Sequence, residues 1–351
     1  MVKDLEFRRL KKDDEEGLSR LFWDVLKNKK DSKYWHWKYY QNPAGEHMMI
    51  VALDKDKIIG VTGTIPEKIK VGSRVLLSSQ PVDVVILPEY RDRKTFLKME
   101  EIAREECLRN GVKLNYGFSV KITYHISTLL LRFVGICPIF NMTKILNPTP
   151  YLRQKIGAQS IADVFGFLGK QSIKTLNKKK VSIPKELKIE EVRQFDHRFD
   201  DFWYREAKNY ELAVIRDSHY LNWRFLENPT PYKIFCVTQN ESIKGFIVLK
   251  CSQEEFRRGR ILDILVESAQ KRIIDLLLTK AINYFLEQEV DVITCWMFEH
   301  WPIFQALKKR GFIKRESPHH LIVRSFMDDF SNEYFQDKSK WYVTMSDSDY
   351  F

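Results

Sequence analysis

The sequence is poor in features that would place it in a membrane, a secretory route or a metal-binding class. No uninterrupted apolar run in its 351 residues approaches the roughly 18 that a membrane-crossing helix needs. The start, Met1-Val2-Lys3-Asp4-Leu5-Glu6-Phe7, lacks the apolar stretch of a secretory leader. A cytoplasmic protein without membrane insertion is therefore expected. Cysteine is scarce: Cys107, Cys137, Cys236, Cys251 and Cys295 form an odd, widely spaced set with no zinc-ligand or redox spacing, and are expected to be reduced thiols. The eight histidines make no helical pair at metal-binding distance, and His319 and His320 would face opposite ways in a strand, so no metal is expected. Acidic residues are outnumbered 47 to 58, for a net charge of +11. That excess admits polyanionic partners. The basic runs Lys178-Lys179-Lys180 and Arg257-Arg258-Gly259-Arg260 read as loop punctuation rather than a groove.

What is present is one pattern twice. Tyr34-Trp35-His36-Trp37-Lys38-Tyr39-Tyr40-Gln41-Asn42-Pro43 returns as Tyr220-Leu221-Asn222-Trp223-Arg224-Phe225-Leu226-Glu227-Asn228-Pro229, 186 positions later (220 − 34). Downstream, Gly60 matches Gly245, Val82-Asp83-Val84-Val85-Ile86 matches Leu262-Asp263-Ile264-Leu265-Val266, and Gly135 matches Gly311. The offsets shrink in order from 186 to 185 (245 − 60), 180 (263 − 83) and 176 (311 − 135), as a few loop deletions in a collinear copy would produce. Solenoid units run about 20–50 residues; this period is that of a duplicated domain.

Within the first copy, apolar spacing predicts a strand over 5–10 and a helix over 13–27. An aromatic helix capped by Asp31 and Ser32 follows, ending at Asn42-Pro43. Strands are expected over 48–53, 57–65 and 69–77, then a central strand over 82–87. Helices over 94–110 and 124–133 enclose a strand over 114–118, and 136–145 closes the copy. The organisation is a domain over 1–147, a helical linker over 148–185 with a helix at 161–176, a second domain over 186–326, and an acidic, aromatic tail over 327–351 that packs on the body, since its tryptophan and tyrosines are costly to leave in water.

This element order resembles the Gcn5-related N-acetyltransferase (GNAT) fold. The residues carrying the resemblance are Val84-Val85-Ile86-Leu87-Pro88-Glu89-Tyr90-Arg91, similar to that superfamily's central strand and the turn into its cofactor-binding helix. More narrowly, Trp37 with Asn42-Pro43-Ala44-Gly45, Tyr116-Gly117-Phe118, and Trp341-Tyr342-Val343-Thr344-Met345-Ser346-Asp347-Ser348-Asp349 resemble a bacterial and archaeal two-domain branch associated with surface-polysaccharide or amino-sugar pathways. The resemblance implies an α/β (α+β) class: two tandem GNAT-like domains, each a mixed, largely antiparallel central sheet flanked by helices.

It also implies acetyl-CoA or another acyl-CoA as co-substrate, held at Ile86, Leu87, Arg91, Asp92, Arg93, Lys94, Thr95 and Phe96. A helix N-terminus suits a pyrophosphate because free amides and the macrodipole both face it. The family pattern is Arg or Gln, two residues, Gly, one residue, Gly or Ala. Arg91 matches, Lys94 and Phe96 replace the small residues, and Asp92 adds a negative charge against the cations Arg91, Arg93 and Lys94. The second copy, Gln270-Lys271-Arg272-Ile273-Ile274-Asp275, keeps only the glutamine. By the same resemblance Tyr124 is the acid for the leaving thiolate and Asp83 the base, with Glu89 a second candidate. The twin Asp263 gives Asp83 a structural alternative. The aromatic helix reads as an anchor more than an acceptor groove, and Glu299-His300-Trp301 as a helix cap more than a catalytic pair.

The function expected is an acyl-CoA-dependent N-acyltransferase, an acetyltransferase by preference, acting on a small-molecule amine such as an amino sugar. Two rivals stand. Peptidoglycan aminoacyl-transferases of the Fem type duplicate the same fold and use charged tRNA, but carry a coiled-coil arm for which no heptads are seen here. A degenerate pair kept for binding or scaffolding is the other, encouraged by the lost glycines.

Overall fold

The computed structural model describes residues 4–27, 31–155, 166, 168–171, 183–253, 257–330 and 332–351. Most of the expected helix over 161–176 and all of Lys178 to Lys180 lie outside the described residues. In chain order the first half contains β1 (Glu6–Arg9), α1 (Glu15–Leu26), α2 (Ser32–Tyr40), β2 (Met48–Asp54), β3 (Lys57–Val71), β4 (Arg74–Ile86), α3 (Arg93–Arg109), β5 (Leu114–Val120), α4 (Lys121–Leu130), β6 (Val134–Ile145) and α5 (Thr149–Lys155). The second half contains β7 (Lys188–Glu191), α6 (His197–Glu206), β8 (Leu212–Val214), α7 (Ser218–Leu221), β9 (Lys233–Gln239), β10 (Ser242–Gln253), β11 (Arg257–Val266), α8 (Lys271–Glu287), β12 (Val292–Trp296), α9 (Pro302–Lys309), β13 (Ile313–Ser325) and α10 (Asn332–Gln336).

The chain divides into two compact units that do not follow sequence order. The first gathers Met1–Pro138, Tyr210–Thr230 and Pro318–Trp341; the second gathers Ile139–Asn209, Pro231–Ser317 and Tyr342–Phe351. The first unit's strands run β1-β2-β3-β4-β5-β13, with β8 on the outer edge of β3. The second unit's run β7-β9-β10-β11-β12-β6. Within each order a single neighbouring pair is parallel, β4 with β5 and β11 with β12. Through the repeat, β7 and β9–β13 correspond to β1–β6, so the two mixed sheets share one order. Each takes its last strand from the other half of the sequence: β13 pairs with β5 from His319↔Val120 to Ser325↔Leu114, and β6 pairs with β12 from Val292↔Ile145 to Trp296↔Asn141.

Local chemistry explains the elements that flank the site. Asp31 caps α2, its side chain accepting from Tyr34 N at 3.0 Å. The helix then buries Trp35, Trp37, Lys38 and Tyr39. α3 presents Met99, Ala103 and Cys107 to the sheet and packs on β2 and β3. In the second unit α8 buries Ile273, Ile274, Leu277, Leu278, Ala281, Ile282 and Phe285 along one stripe.

Two expectations are corrected. β3 is one strand through Val71, and the hairpin turn falls at Gly72, whose φ is +60°, rather than between strands over 57–65 and 69–77. Pro66 does not interrupt it, because the β2 ladder ends at Thr64 and the β8 ladder begins at Ile69, so the missing N–H falls between them. By the same correction 74–86 is continuous and includes the separate strand expected over 82–87. The helix expected over 124–133 lies three residues earlier at both ends, at Lys121–Leu130.

The repeated aromatic motif closes on itself inside the first unit. The Trp37 indole N–H donates to the Trp223 carbonyl at 2.7 Å, and the Trp223 indole N–H donates to the Trp37 carbonyl at 3.1 Å. The rings stack with centroids 5.2 Å apart. Residues equivalent in sequence thus bond reciprocally, and both are nearly fully buried. Trp37→Phe leaves the Trp223 carbonyl without this donor, a loss of about 1–3 kcal/mol for a buried polar group. Urea denaturation of the variant should show that loss; parental stability would remove the anchoring role.

Candidate functional site

The distinctive geometry of the first unit is where its parallel strands part. β4 and β5 pair only at Ser78↔Leu114 and Ser79↔Asn115, although β4 runs on to Ile86 and β5 to Val120. Beyond Ser79 the strands diverge into a V. The equivalent ladder of the second unit, offset by 180 (258 − 78) and 178 (292 − 114), holds four pairs, Arg258↔Val292 through Ile261↔Cys295. The first V therefore opens two residues earlier. Val84 belongs to neither ladder of β4 and is 49% exposed. A strand edge without a partner offers main-chain donors and acceptors to an extended ligand.

β4 leads through a turn into α3, which brings Ile86, Leu87 and Arg91 to Phe96 together at the mouth of the V. Ile86 and Leu87 are buried, while Arg91, Asp92, Arg93 and Lys94 are exposed. Their side chains are not all turned outward. The Arg91 Nε donates to the Ile86 carbonyl at 2.9 Å. Asp92 is the N-cap: its Oδ1 accepts from Thr95 N at 2.9 Å and its Oδ2 from the Thr95 hydroxyl at 2.7 Å. These bonds, with Lys94 nearby, hold its carboxyl below the usual range. A carboxylate thus takes up one of the amides expected to serve an anion, while Lys94 and Lys98 lie further along the same helix. An open groove of about 1380 Å³ flanks α3, and Lys94, Lys98, Arg104, Arg132 and Arg324 line it.

Arg324 in that groove is held by two aromatic rings and a main-chain carbonyl. Its guanidinium lies 4.6 Å from the Phe133 ring and 5.1 Å from Phe326, and Nη1 donates to the Leu131 carbonyl at 3.0 Å. Its Nε is buried without a hydrogen-bond partner. Burial lowers the Arg324 pKa against the opposing pull of Glu100. Burial likewise raises Glu100, against its bond from the Thr62 hydroxyl and the charge of Arg324. Five carboxylates, Asp4, Glu89, Asp92, Glu100 and Glu101, line the same groove, so its charge is mixed, and the Arg324 Nε–H is an orphaned donor within it.

The two catalytic candidates occupy different surroundings. Asp83 sits at φ 57° beside the register shift between Val61 and Gly63. Its Oδ2 accepts from the Lys38 ammonium and, at 2.6 Å, from the Tyr39 hydroxyl. Lys38 is fully buried, so this ion pair ties α2 to the bulge. Its twin Asp263, also buried, accepts from Thr344 Oγ1 at 3.1 Å and from Ile264 N at 3.0 Å. Tyr124 packs on His320 with centroids 4.8 Å apart, and its hydroxyl lies against Gly135, where any Cβ would collide with it. Glu89 is exposed and lines the α3 groove.

A third group was missed in the sequence. At the apex of the V, Gln80 Nε2 donates to the Tyr116 hydroxyl at 3.2 Å, and that hydroxyl donates to the Glu67 carboxylate. All three side chains are buried. Gln80 and Tyr116 are the first residues past the ladder on the sheet face that carries Glu67, since Glu67 pairs with Ser78 and Ser78 with Leu114. At the corresponding places the second unit has Ser252 (67 + 185), Arg260 (80 + 180) and Thr294 (116 + 178). Glu67 went unnoticed because it fell at an expected break between strands.

Among the described residues no group of three or more His, Cys, Asp or Glu could hold a metal ion, and no helix is long and apolar enough to cross a membrane. All five cysteines are free thiols.

Residues 6–126 match the family model for the acetyltransferase (GNAT) domain. Among solved structures, the chain is similar to a probable N-acyltransferase of unknown function from Enterococcus faecalis, at TM-score 0.65 and 9% identity over 92% of this chain and 72% of that one. It is also similar to a GCN5-related N-acetyltransferase from Anabaena variabilis, at TM-score 0.62 and 11% identity over 92% and 72%. A third likeness is to Saccharomyces cerevisiae N-myristoyltransferase with bound myristoyl-CoA, at TM-score 0.63 and 12% identity over 93% and 80%. No curated protein matches the sequence. The family model matches about a third of the chain, and at these identities the structural likenesses speak to fold alone.

The Lys38–Asp83 pair generates a prediction of its own. Lys38→Met strands a carboxylate that is 13% exposed, and removing one partner of such a buried pair costs about 3–5 kcal/mol. Lys38→Met/Asp83→Asn should recover part of it in the same denaturation experiment. A single variant as stable as the parent would contradict a structural tie.

Proposed function

We propose that the protein is an acyl-CoA-dependent N-acyltransferase whose cofactor site lies in the first unit. The observation that carries this reading is the two-pair β4–β5 ladder opening beside the start of α3. The pantetheine arm would extend along the Val84 edge, and the phosphates would meet Arg93, Lys94 and the groove cations. An acyl-CoA supplies an activated thioester. The amine nitrogen of the acceptor attacks its carbonyl carbon, and the carbon–sulfur bond breaks as the thiolate leaves.

The amine must shed a proton and the thiolate must gain one. Two carboxylates are available for the first task, Asp83 and Glu67. Asp83 is engaged by Lys38 and Tyr39, which favours Glu67, bonded to Tyr116 at the apex, as the base or as the group that polarises a relaying water. Tyr124 remains the proposed acid. The acceptor is a small amine, with an amino sugar preferred from the branch resemblance. Ser252 in place of the glutamate and Thr294 in place of the tyrosine favour a supporting role for the second unit.

Calorimetric titration of the full chain with non-reactive desulfo-CoA tests the placement. Arg93→Ala/Lys94→Ala should weaken binding about tenfold or more. Asp92→Asn keeps a good N-cap but removes a charge from the anion site, so it should tighten binding several-fold. Unchanged affinity in both would remove the site from α3. In an acetyl transfer assay over a panel of amines, Glu67→Gln should lower kcat about a hundredfold while leaving desulfo-CoA affinity intact; unaltered kcat would return the base to Asp83.

A further inference from the structure

The second unit has its own V, and a segment of the same chain fills it. β11 continues past the last ladder pair, Ile261↔Cys295, to Val266. Ile264 is the counterpart of the exposed Val84 (264 − 84 = 180), yet it is buried. Its N–H and C=O are both taken, the N–H by the Asp263 carboxylate at 3.0 Å and the C=O by the Tyr342 hydroxyl. Tyr342, Val343, Thr344, Met345, Ser346, Asp347 and Ser348 are each at most 3% exposed.

The segment is locked rather than draped. Thr344 Oγ1 donates to Asp263, and Thr344 N donates to Asp347 Oδ2 at 2.8 Å, closing a one-turn 3₁₀ capping box. The Trp301 ring meets Tyr342 edge-on at 5.3 Å. At its far end the Phe351 ring packs on Trp296, the last residue of β12, at 5.1 Å, and under the Arg260 guanidinium at 5.6 Å. The tail therefore touches β11 at its free edge and β12 at its last residue, as a ligand lying in the V would. At the adjoining turn, Ser268 N already donates to Glu206 Oε2 at 2.8 Å, and Glu267 stands one residue before it. Those carboxylates are unsuited to a pyrophosphate.

We infer that the free edge of β11 around Ile264 is a second ligand site, suited to a neutral, extended, amide-bearing thioester arm of the pantetheine class, and that residues 342–351 occupy it as a resident substitute. The inference rests on the reading of the first V as an acyl-CoA site. It has two consequences: one CoA binds per chain, and the tail competes with a phosphate-free arm for the second V.

Hydrogen exchange of the 343–348 amides, followed by mass spectrometry on the full chain, reads the competition. In the parent protein these amides should stay protected with or without S-acetylpantetheine, and calorimetry should count one desulfo-CoA per chain. Tyr342→Phe/Thr344→Val removes two hydroxyls, with their bonds to Ile264, Asp263 and Ser346, at nearly constant volume and should speed exchange about tenfold. S-acetylpantetheine at millimolar concentration should then speed it further, in a saturable way. Should the double variant fold poorly, Tyr342→Phe alone is used, with the same expected response. Two desulfo-CoA per parent chain, or a loosened tail indifferent to S-acetylpantetheine, would overturn the inference. Failure of the parent to bind desulfo-CoA would remove the proposed function instead, while the response of the loosened tail would still decide this one.

Discussion

The constraint on which the rest depends is that two parallel strands stop sharing hydrogen bonds after Ser79 and Asn115 while both continue. A central sheet normally satisfies every main-chain donor and acceptor, and leaving an edge open inside it is costly unless something else satisfies it. The chain meets that cost differently in its two units. In the first, the side chains of Gln80, Tyr116 and Glu67 knit the apex together and leave Val84 exposed beyond it. In the second, the ladder is two pairs longer and the tail closes the remainder through Tyr342 and Asp263.

The two units are built alike. The copies share one strand order, exchange their last strands, and lock their aromatic motifs through Trp37 and Trp223. Exchange of a final strand makes each sheet dependent on the other half of the chain for its completion. A buried ion pair, Lys38 with Asp83, then fixes the aromatic helix to the bulge that ends the regular part of β4. Before α3 there is no glycine turn: Asp92 caps the helix, and Lys94 and Lys98 lie along it.

Much of the fold was legible in the sequence because it rests on local chemistry. The drifting repeat of Asn-Pro, Gly and Asp marked the two copies, and Asp31 announced the start of α2. Strand exchange was not legible, since the alternation in 134–145 and 313–325 shows that a strand forms but not which sheet receives it. The break expected after residue 65 is not there, because whether a strand tolerates proline depends on a neighbouring ladder that sequence does not reveal. Glu67 was lost with it. Asp92 was read only as a charge, although its spacing to Thr95 also suits an N-cap. The tail's aromatics signalled packing, but its place in the second V depends on where a parallel ladder ends.

The most direct test of the central claim is residue-resolved hydrogen exchange of the full chain with and without a non-reactive acyl-CoA. Slower exchange is expected at the amides of Val84, Arg93 and Lys94, with the tail amides of 343–348 unaltered. Protection elsewhere, with Val84 and the start of α3 exchanging as before, would contradict it.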